Sequence, residues 1–285
     1  VRDAAHRGAP VMDSSSPPPS GEQPPDIDTS VSHSARVWNY WLGGKDNYPV
    51  DREAAEQYRA VRPDIVDVAR AVRSFLVRAV RYLAGEVGIR QFVDIGTGLP
   101  TANNTHEVAQ AVAQESRIVY VDNDPLVLVH ARALLTSSPA GVTDYIDVDL
   151  RDHDTVLREA ARTLDFSQPI ALMLLGVINH ILDTAEAYAI VDRLLDALPA
   201  GSYLALTHPA TEVDSDEVLT AIRLWNESGA TPRMVARSRQ ELARFFDRLE
   251  LLEPGVVSSS LWRPDPVDIG TAAEVYGFSG VGRKP

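Results

Sequence analysis

Cysteine is missing from the 285-residue chain. That removes disulfides, thiolate zinc sites, iron–sulfur clusters and every cysteine nucleophile. Positive charge is scarce, with 27 Lys and Arg against 40 Asp and Glu, a net charge of −13. Such a balance argues against nucleic acid as the main partner, because phosphate-backbone binding needs a basic footprint. No apolar run approaches the roughly 18 residues of a membrane span. The N-terminal stretch carries Arg2 and Arg7 but no apolar h-region. The expectation is a cytoplasmic protein with no membrane association and no metal site.

What is present is a chain that is 45% hydrophobic, enough for a sizeable core. Residues 1–30 stand apart. They hold Pro10, Pro17, Pro18, Pro19, Pro24 and Pro25 with a serine run and almost nothing large and apolar, so they read as a disordered tail. Residues 31–88 read as a helical cap or lid, and residues 89–285 as the core. In the cap, Val37, Trp38, Trp41 and Leu42 recur at helical spacing until Gly43 and Gly44 stop the helix. Asp64 is placed to cap a longer helix whose Ile65, Val68, Val72, Phe75, Leu76, Ala79 and Leu83 form one stripe.

From residue 91 the pattern changes to short apolar strands at 91–95, 117–122, 145–149, 170–177 and 202–207, with helices between them. Strands alternating with helices of about 10–15 residues mean βαβ units and a parallel sheet. In such a sheet ligands bind beyond the carboxyl ends of the strands, where the strand order reverses. The first strand runs into Asp94-Ile95-Gly96-Thr97-Gly98, whose glycines permit a tight turn and close backbone approach. The second ends in Asp122, a carboxylate able to accept both hydrogen bonds of a ribose diol. The third ends in Asp149, able to accept from an exocyclic adenine amine.

The nucleotide is narrowed by what surrounds these residues. Thr101 stands where a dinucleotide fingerprint has Gly or Ala, there is no phosphate-binding Gly-Lys-Ser/Thr loop, and no basic residue lies between Asp94 and Glu115 to meet a pyrophosphate. S-adenosylmethionine needs none, since it carries adenosine, a sulfonium and a zwitterionic amino acid.

Val93–Gly98, Val121-Asp122, Asp149-Leu150 and the block 198–207 resemble the motifs of Rossmann-like class I S-adenosylmethionine-dependent methyltransferases. More distinctive is the segment Leu42-Gly43-Gly44-Lys45-Asp46-Asn47-Tyr48. With Asp94–Thr101 and the final Gly277-Phe278-Ser279-Gly280-Val281-Gly282-Arg283, it resembles a bacterial family of S-adenosyl methyltransferases over residues 31–283. The resemblance implies an α/β fold with a seven-stranded, mostly parallel sheet, helices on both faces, and a last strand near 275–281 inserted antiparallel. It implies that Asp94, Gly96, Thr97 and Gly98 lie near the methionine moiety, Asp122 and Asn123 near the ribose, Asp149 and Leu150 around the adenine, with Leu175 and Gly176 completing the site. It also makes Tyr40, Lys45, Asp46 and Asn47 a lid or substrate edge.

Methyl transfer needs an acceptor, and sometimes a base. His180, after the fourth strand, is the first candidate as base or orienter, and His208 on the same edge is the weaker one. No Asn/Asp-Pro-Pro-aromatic motif is present, and cytosine C5 chemistry needs the missing cysteine. The expectation is a small-molecule oxygen or nitrogen acceptor. The rival readings are a catalytically silent S-adenosylmethionine-binding sensor and a NAD-dependent oxidoreductase.

Overall fold

The computed structural model describes residues 27–134 and 137–285. The expected disordered tail therefore lies, apart from residues 27–30, outside the described residues. Strands form where the apolar runs are. β1 (Gln91–Ile95) is buried throughout, β2 (Arg117–Asp122) all but its first residue, β3 (Val142–Asp147) is half-covered, and β4 (Ala171–Leu175) is buried all but its last residue. β5 (Tyr203–Pro209) is followed by the two-residue β6 (Glu250–Leu251) and β7 (Val257–Ser258), and by β8 (Gly277–Arg283). The order is β3-β2-β1-β4-β5-β8-β6, with β7 also paired to β8. β1 to β5 are parallel, and β8 runs antiparallel to β5 and β6. This matches the expected strand set, with β7 as a short addition.

Helices α1 (Ser34–Trp41), α2 (Pro49–Val61) and α3 (Ile65–Arg81) precede the sheet. α4 (Thr105–Val112), α5 (Pro125–Leu134), α6 (His153–Ala160) and α7 (Thr184–Ala197) connect the parallel strands, while α8 (Ser215–Glu227) and α9 (Arg239–Arg244) follow β5. Successive strand residues point to opposite faces. Val93, Val119 and Leu172 accordingly pack with α6 and α7, whereas Phe92, Ile118 and Met173 pack with α3 and α4. A third cluster joins Val37, Trp41, Tyr58 and Ile65 to Val218, Ile222 and Trp225 of α8 and to Tyr276.

Two local expectations are corrected. β3 begins at Val142 and ends at Asp147 rather than spanning 145–149, because the turn closed by Gly141 N–H on the Ser138 carbonyl delivers the chain to β2 in the register Arg117↔Val142. Asp144, which looks like a strand breaker, sits in the edge strand with Thr163 Oγ1 donating to it at 2.6 Å. Asp64 makes no cap bond to α3. Its carboxylate accepts from Arg62 Nε at 2.9 Å instead, a charged donor outcompeting a backbone one.

The chain lays β2 and β3 on one side of β1, then returns to place β4 on the other. That reversal puts a crevice beyond the carboxyl ends of β1 and β4.

Candidate functional site

Gly96 and Gly98 both have positive φ, +72° and +64°. A Cβ on Gly96 would lie 2.5 Å from the Cβ of Val177, so the β1 and β4 turns can approach only through this glycine. Around Gly98 a Cβ would meet nothing within 4 Å, which leaves that side open. The turn is held from β2. Gly98 N–H donates to Asp122 Oδ2 at 2.9 Å and Asp124 N–H to Oδ1 at 3.0 Å. A carboxylate offers about four acceptor positions, so Asp122 retains capacity on both oxygens. Burial raises its pKa despite these bonds.

Asp94 is buried beneath the same turn. Thr105 Oγ1 donates to its Oδ2 at 2.5 Å, and burial pushes its pKa up to about 6, with the Arg73 charge opposing. Arg73 itself reaches the Ala102 carbonyl at 2.9 Å and Asn104 Oδ1 at 3.0 Å. Asp149 lies two residues past the end of β3 rather than at its tip. It accepts from Asn123 Nδ2 at 3.1 Å and from Arg151 N–H at 2.8 Å.

After β4 a short turn, Ile178–His180, carries Asn179 and His180. Segment 233–237 clamps it from three points. His180 Nδ1–H donates to the Arg233 carbonyl at 3.0 Å, Val235 N–H to the Asn179 carbonyl at 2.9 Å, and the Arg237 guanidinium to the carbonyls of Ile178 at 3.3 Å and Ile181 at 2.7 Å. Arg237 is 2% exposed and has no carboxylate partner among the described residues. With Nδ1 donating, His180 Nε2 keeps its lone pair, approached only by Asn179 Nδ2 at 3.4 Å. Burial lowers the His180 pKa to about 4, so the ring is neutral at pH 7. His208 is different. Nδ1 bonds the Pro209 carbonyl at 2.8 Å and Nε2 accepts from Arg237 at 2.7 Å. Both nitrogens are engaged, which corrects the expectation that it can serve as a base.

α1 reaches the site, but not through the residues expected. Trp38, Asn39, Trp41 and Leu42 line the cavity, whereas Tyr40, Lys45, Asp46 and Asn47 do not. Tyr40 donates to Glu56 at 2.9 Å, Asp46 pairs with His130 at 3.2 Å, and Asn47 Nδ2 donates to Asn39 Oδ1 at 3.1 Å. The trio folds the chain around Asn39 and away from the ligand space. α1 is fastened at its start. Ser34 N–H donates to the Thr231 carbonyl and Thr231 N–H to the Ser32 carbonyl, each at 2.8 Å. His33 Nδ1 lies 2.9 Å from Asp124 Oδ2. Burial pushes the Asp124 pKa up, but His33 outweighs it and holds the carboxyl below its usual range.

These elements enclose one cavity of about 430 Å³, within the range of small-molecule sites. Asp94, Gly96, Thr97, Gly98, Asp122, Asn123, Asp149, Leu150, Leu175, Gly176, His180 and His208 all line it. Thr101 and Asn179 also line it, and each carries a buried side-chain oxygen, Oγ1 and Oδ1, without a partner. The open face of Gly98, the spare acceptors of Asp122 and the unpartnered Thr101 hydroxyl fit a polar, nucleoside-bearing ligand. Sequence reasoning missed Arg73, Tyr58, Trp225, Met234 and Tyr276, which also line the cavity. Only Tyr276, beside the terminal glycine motif, carried any signal.

A family described as S-adenosyl methyltransferase matches residues 20–285. A DUF574 family protein from Streptomyces avermitilis MA-4680 is 43% identical, with a TM-score of 0.87, over 91% of this chain and 100% of its own. A candidate methyltransferase from Thermobifida fusca YX is 41% identical, with a TM-score of 0.82, over 90% of this chain and 96% of its own. An O-methyltransferase family protein from Burkholderia thailandensis shares the fold at 12% identity, with a TM-score of 0.50, over 86% of this chain and 63% of its own. No curated protein matches.

Proposed function

Because the chain belongs to the S-adenosyl methyltransferase family, we propose that this S-adenosylmethionine-dependent methyltransferase acts on an oxygen or nitrogen of a small molecule. The observation that carries the reading is the juxtaposition, along one cavity, of the Gly96–Gly98 turn and Asp122 with the neutral His180 imidazole. When bound, S-adenosylmethionine supplies an electrophilic methyl group for an in-line displacement. Asp122 and Asn123 hold the ribose, Asp149 and Leu150 border the adenine, and Asp94, Thr97 and the glycine turn meet the methionine end.

The chain's remaining contribution is alignment and the handling of one proton. His180 Nε2 carries the only uncommitted imidazole lone pair after β4 among the described residues. It orients an acceptor O–H or N–H, and receives that proton when the nucleophile must be deprotonated. The low basicity of His180 suits an acceptor whose proton leaves as the new bond forms. α1 and the segment around Thr231 exclude water from this end of the cavity.

Asp122→Ala should weaken S-adenosylhomocysteine binding by about 2–3 kcal/mol, because the diol loses a charged acceptor in a desolvated site. The far-UV spectrum should stay intact. Unchanged affinity in calorimetry would remove Asp122 from the cofactor site and with it the main support for this reading.

A further inference from the structure

We propose that the methyl acceptor is an uncharged, planar, largely apolar molecule with its nucleophilic O–H or N–H at one end and a hydrogen-bond-accepting atom at the other, the latter received by the Tyr58–Tyr276 hydroxyl pair. This rests on the methyltransferase reading and adds the class of substrate to it.

Charge on the cavity wall is unevenly placed. Arg73, Asp94, Asp122 and Asp149 lie beside the turns after β1, β2 and β3, where the cofactor is assigned, and Arg151, paired with Asp149, also donates to the His180 carbonyl at 3.2 Å. The lining residues contributed by α1, α2 and α8, together with Thr231, Pro232 and Met234, include no Asp, Glu, Lys or Arg. An ion placed against them would lose its hydration without gaining a partner, a cost of several kcal/mol. Those walls are instead aromatic, with Trp38, Trp41 and Trp225 among them, and flat rings present large apolar area to a planar ligand. Aromatic walls also attract organic cations. An ammonium nitrogen, however, has no lone pair with which to take a methyl group, so an amine acceptor must arrive neutral.

Two polar features fix the ends. Tyr58 and Tyr276 hydroxyls lie 3.0 Å apart, buried, with no other side-chain partner among the described residues. Two hydroxyl protons share one mutual bond, so one proton remains to be donated into the cavity that both residues line. Burial raises the pKa of both, to about 12 for Tyr58, and keeps them donors at neutral pH. Asn179, next to His180, is 6% exposed, and its Oδ1 has no partner. With His180 Nε2 receiving the reacting proton, that oxygen is placed to accept from a second donor on the substrate. Leaving it unpaired costs about 1–3 kcal/mol, which a donor on the substrate recovers.

A matched series tests this by calorimetry on the full chain saturated with S-adenosylhomocysteine. The probes are 2-naphthol, 2-naphthoate, 2-naphthylmethylammonium and 7-hydroxycoumarin, at a pH where the phenols are protonated. 2-Naphthol should bind at least about tenfold more tightly than either ion. 7-Hydroxycoumarin, with its distal carbonyl, should exceed 2-naphthol by about three- to tenfold, the worth of one hydrogen bond. Each single variant, Tyr58→Phe or Tyr276→Phe, leaves one free hydroxyl proton and should keep that advantage, while the double variant should lose it. Equal or tighter binding of an ion overturns the proposal, as does a carbonyl advantage that survives the double substitution. Binding of S-adenosylhomocysteine with no probe bound sinks the acceptor class alone. Failure of S-adenosylhomocysteine itself to bind sinks the methyltransferase reading beneath it. Should the double variant not fold, the comparison of neutral and charged probes on the unaltered protein still decides.

Discussion

Arg237 shows how a side chain far in sequence can govern the chemistry of a loop. It ties Ile178 and Ile181, the two ends of the turn holding Asn179 and His180, and it occupies the second nitrogen of His208. Arg237→Met should lower unfolding stability by about 2–4 kcal/mol in urea titration, because two carbonyls and an imidazole lose their donor inside the fold. His180→Gln should behave oppositely. Stability and S-adenosylhomocysteine affinity should stay nearly unchanged, while turnover falls by about 10²–10⁴ once an acceptor is in hand. A loss of cofactor affinity in His180→Gln would instead assign the histidine to the nucleoside. His180 was legible in the sequence because it follows an unmistakable apolar strand. Arg237 was not, since its role depends on carbonyls contributed by another part of the chain, and carbonyl placement leaves no mark on residue type. Asp94 and Asp122 were legible for the converse reason, as Asp94 lies just before the glycine turn after β1 and Asp122 ends β2.

At the level of elements, the segment around α1 is the instructive case. Its aromatic residues and paired glycines read as a mobile lid, and the aromatic face is indeed at the cavity. The glycines, however, answer a local need. Gly43 has a φ of +82°, and a Cβ on Gly44 would lie 2.3 Å from Asn39 Nδ2. They turn the chain around a buried asparagine. Arg36 is 4% exposed and donates to the carbonyls of Asp28 and Val31, whereas Lys45 is exposed. Trypsin should therefore cut at Lys45 and spare Arg36, with or without S-adenosylhomocysteine. A cut at Arg36 that the ligand suppresses would restore the lid. Strand positions were read well wherever both faces are apolar, as in β1, β2 and β4. The edge strand β3 was misplaced because an edge tolerates Thr143 and Asp144, which carry no period-two signal.

Across the whole molecule, acidity should act first through Asp94. Its folded pKa of about 6 exceeds the ordinary value of 3.8, so between those limits the native state binds more protons than the unfolded chain. On this account, apo stability should decline as pH rises through that window, the opposite of a salt-bridged carboxylate. Cofactor affinity should move the other way, weakening up to about tenfold from pH 7 to pH 5 as the carboxylate proposed to meet the methionine end is neutralised. Calorimetry across that range checks both signs, and Asp94→Asn should flatten them. His180, near 4, titrates too low to account for such a limb. The place of β8 has a consequence for how the protein is made. β8 lies between β5 and β6, yet it is synthesised after both, and Gly280 and Gly282 let it pass close beneath Phe246. While β8 is still on the ribosome, the β1–β4 turns proposed to receive the nucleoside have already emerged, but Tyr276 has not joined Tyr58. During that interval the backbone of β5 offers an unpaired edge flanked by Leu204 and Leu206, the kind of surface that invites mispairing with another nascent chain. The strand that carries the chain on from Tyr276 is thus also the one that closes this edge.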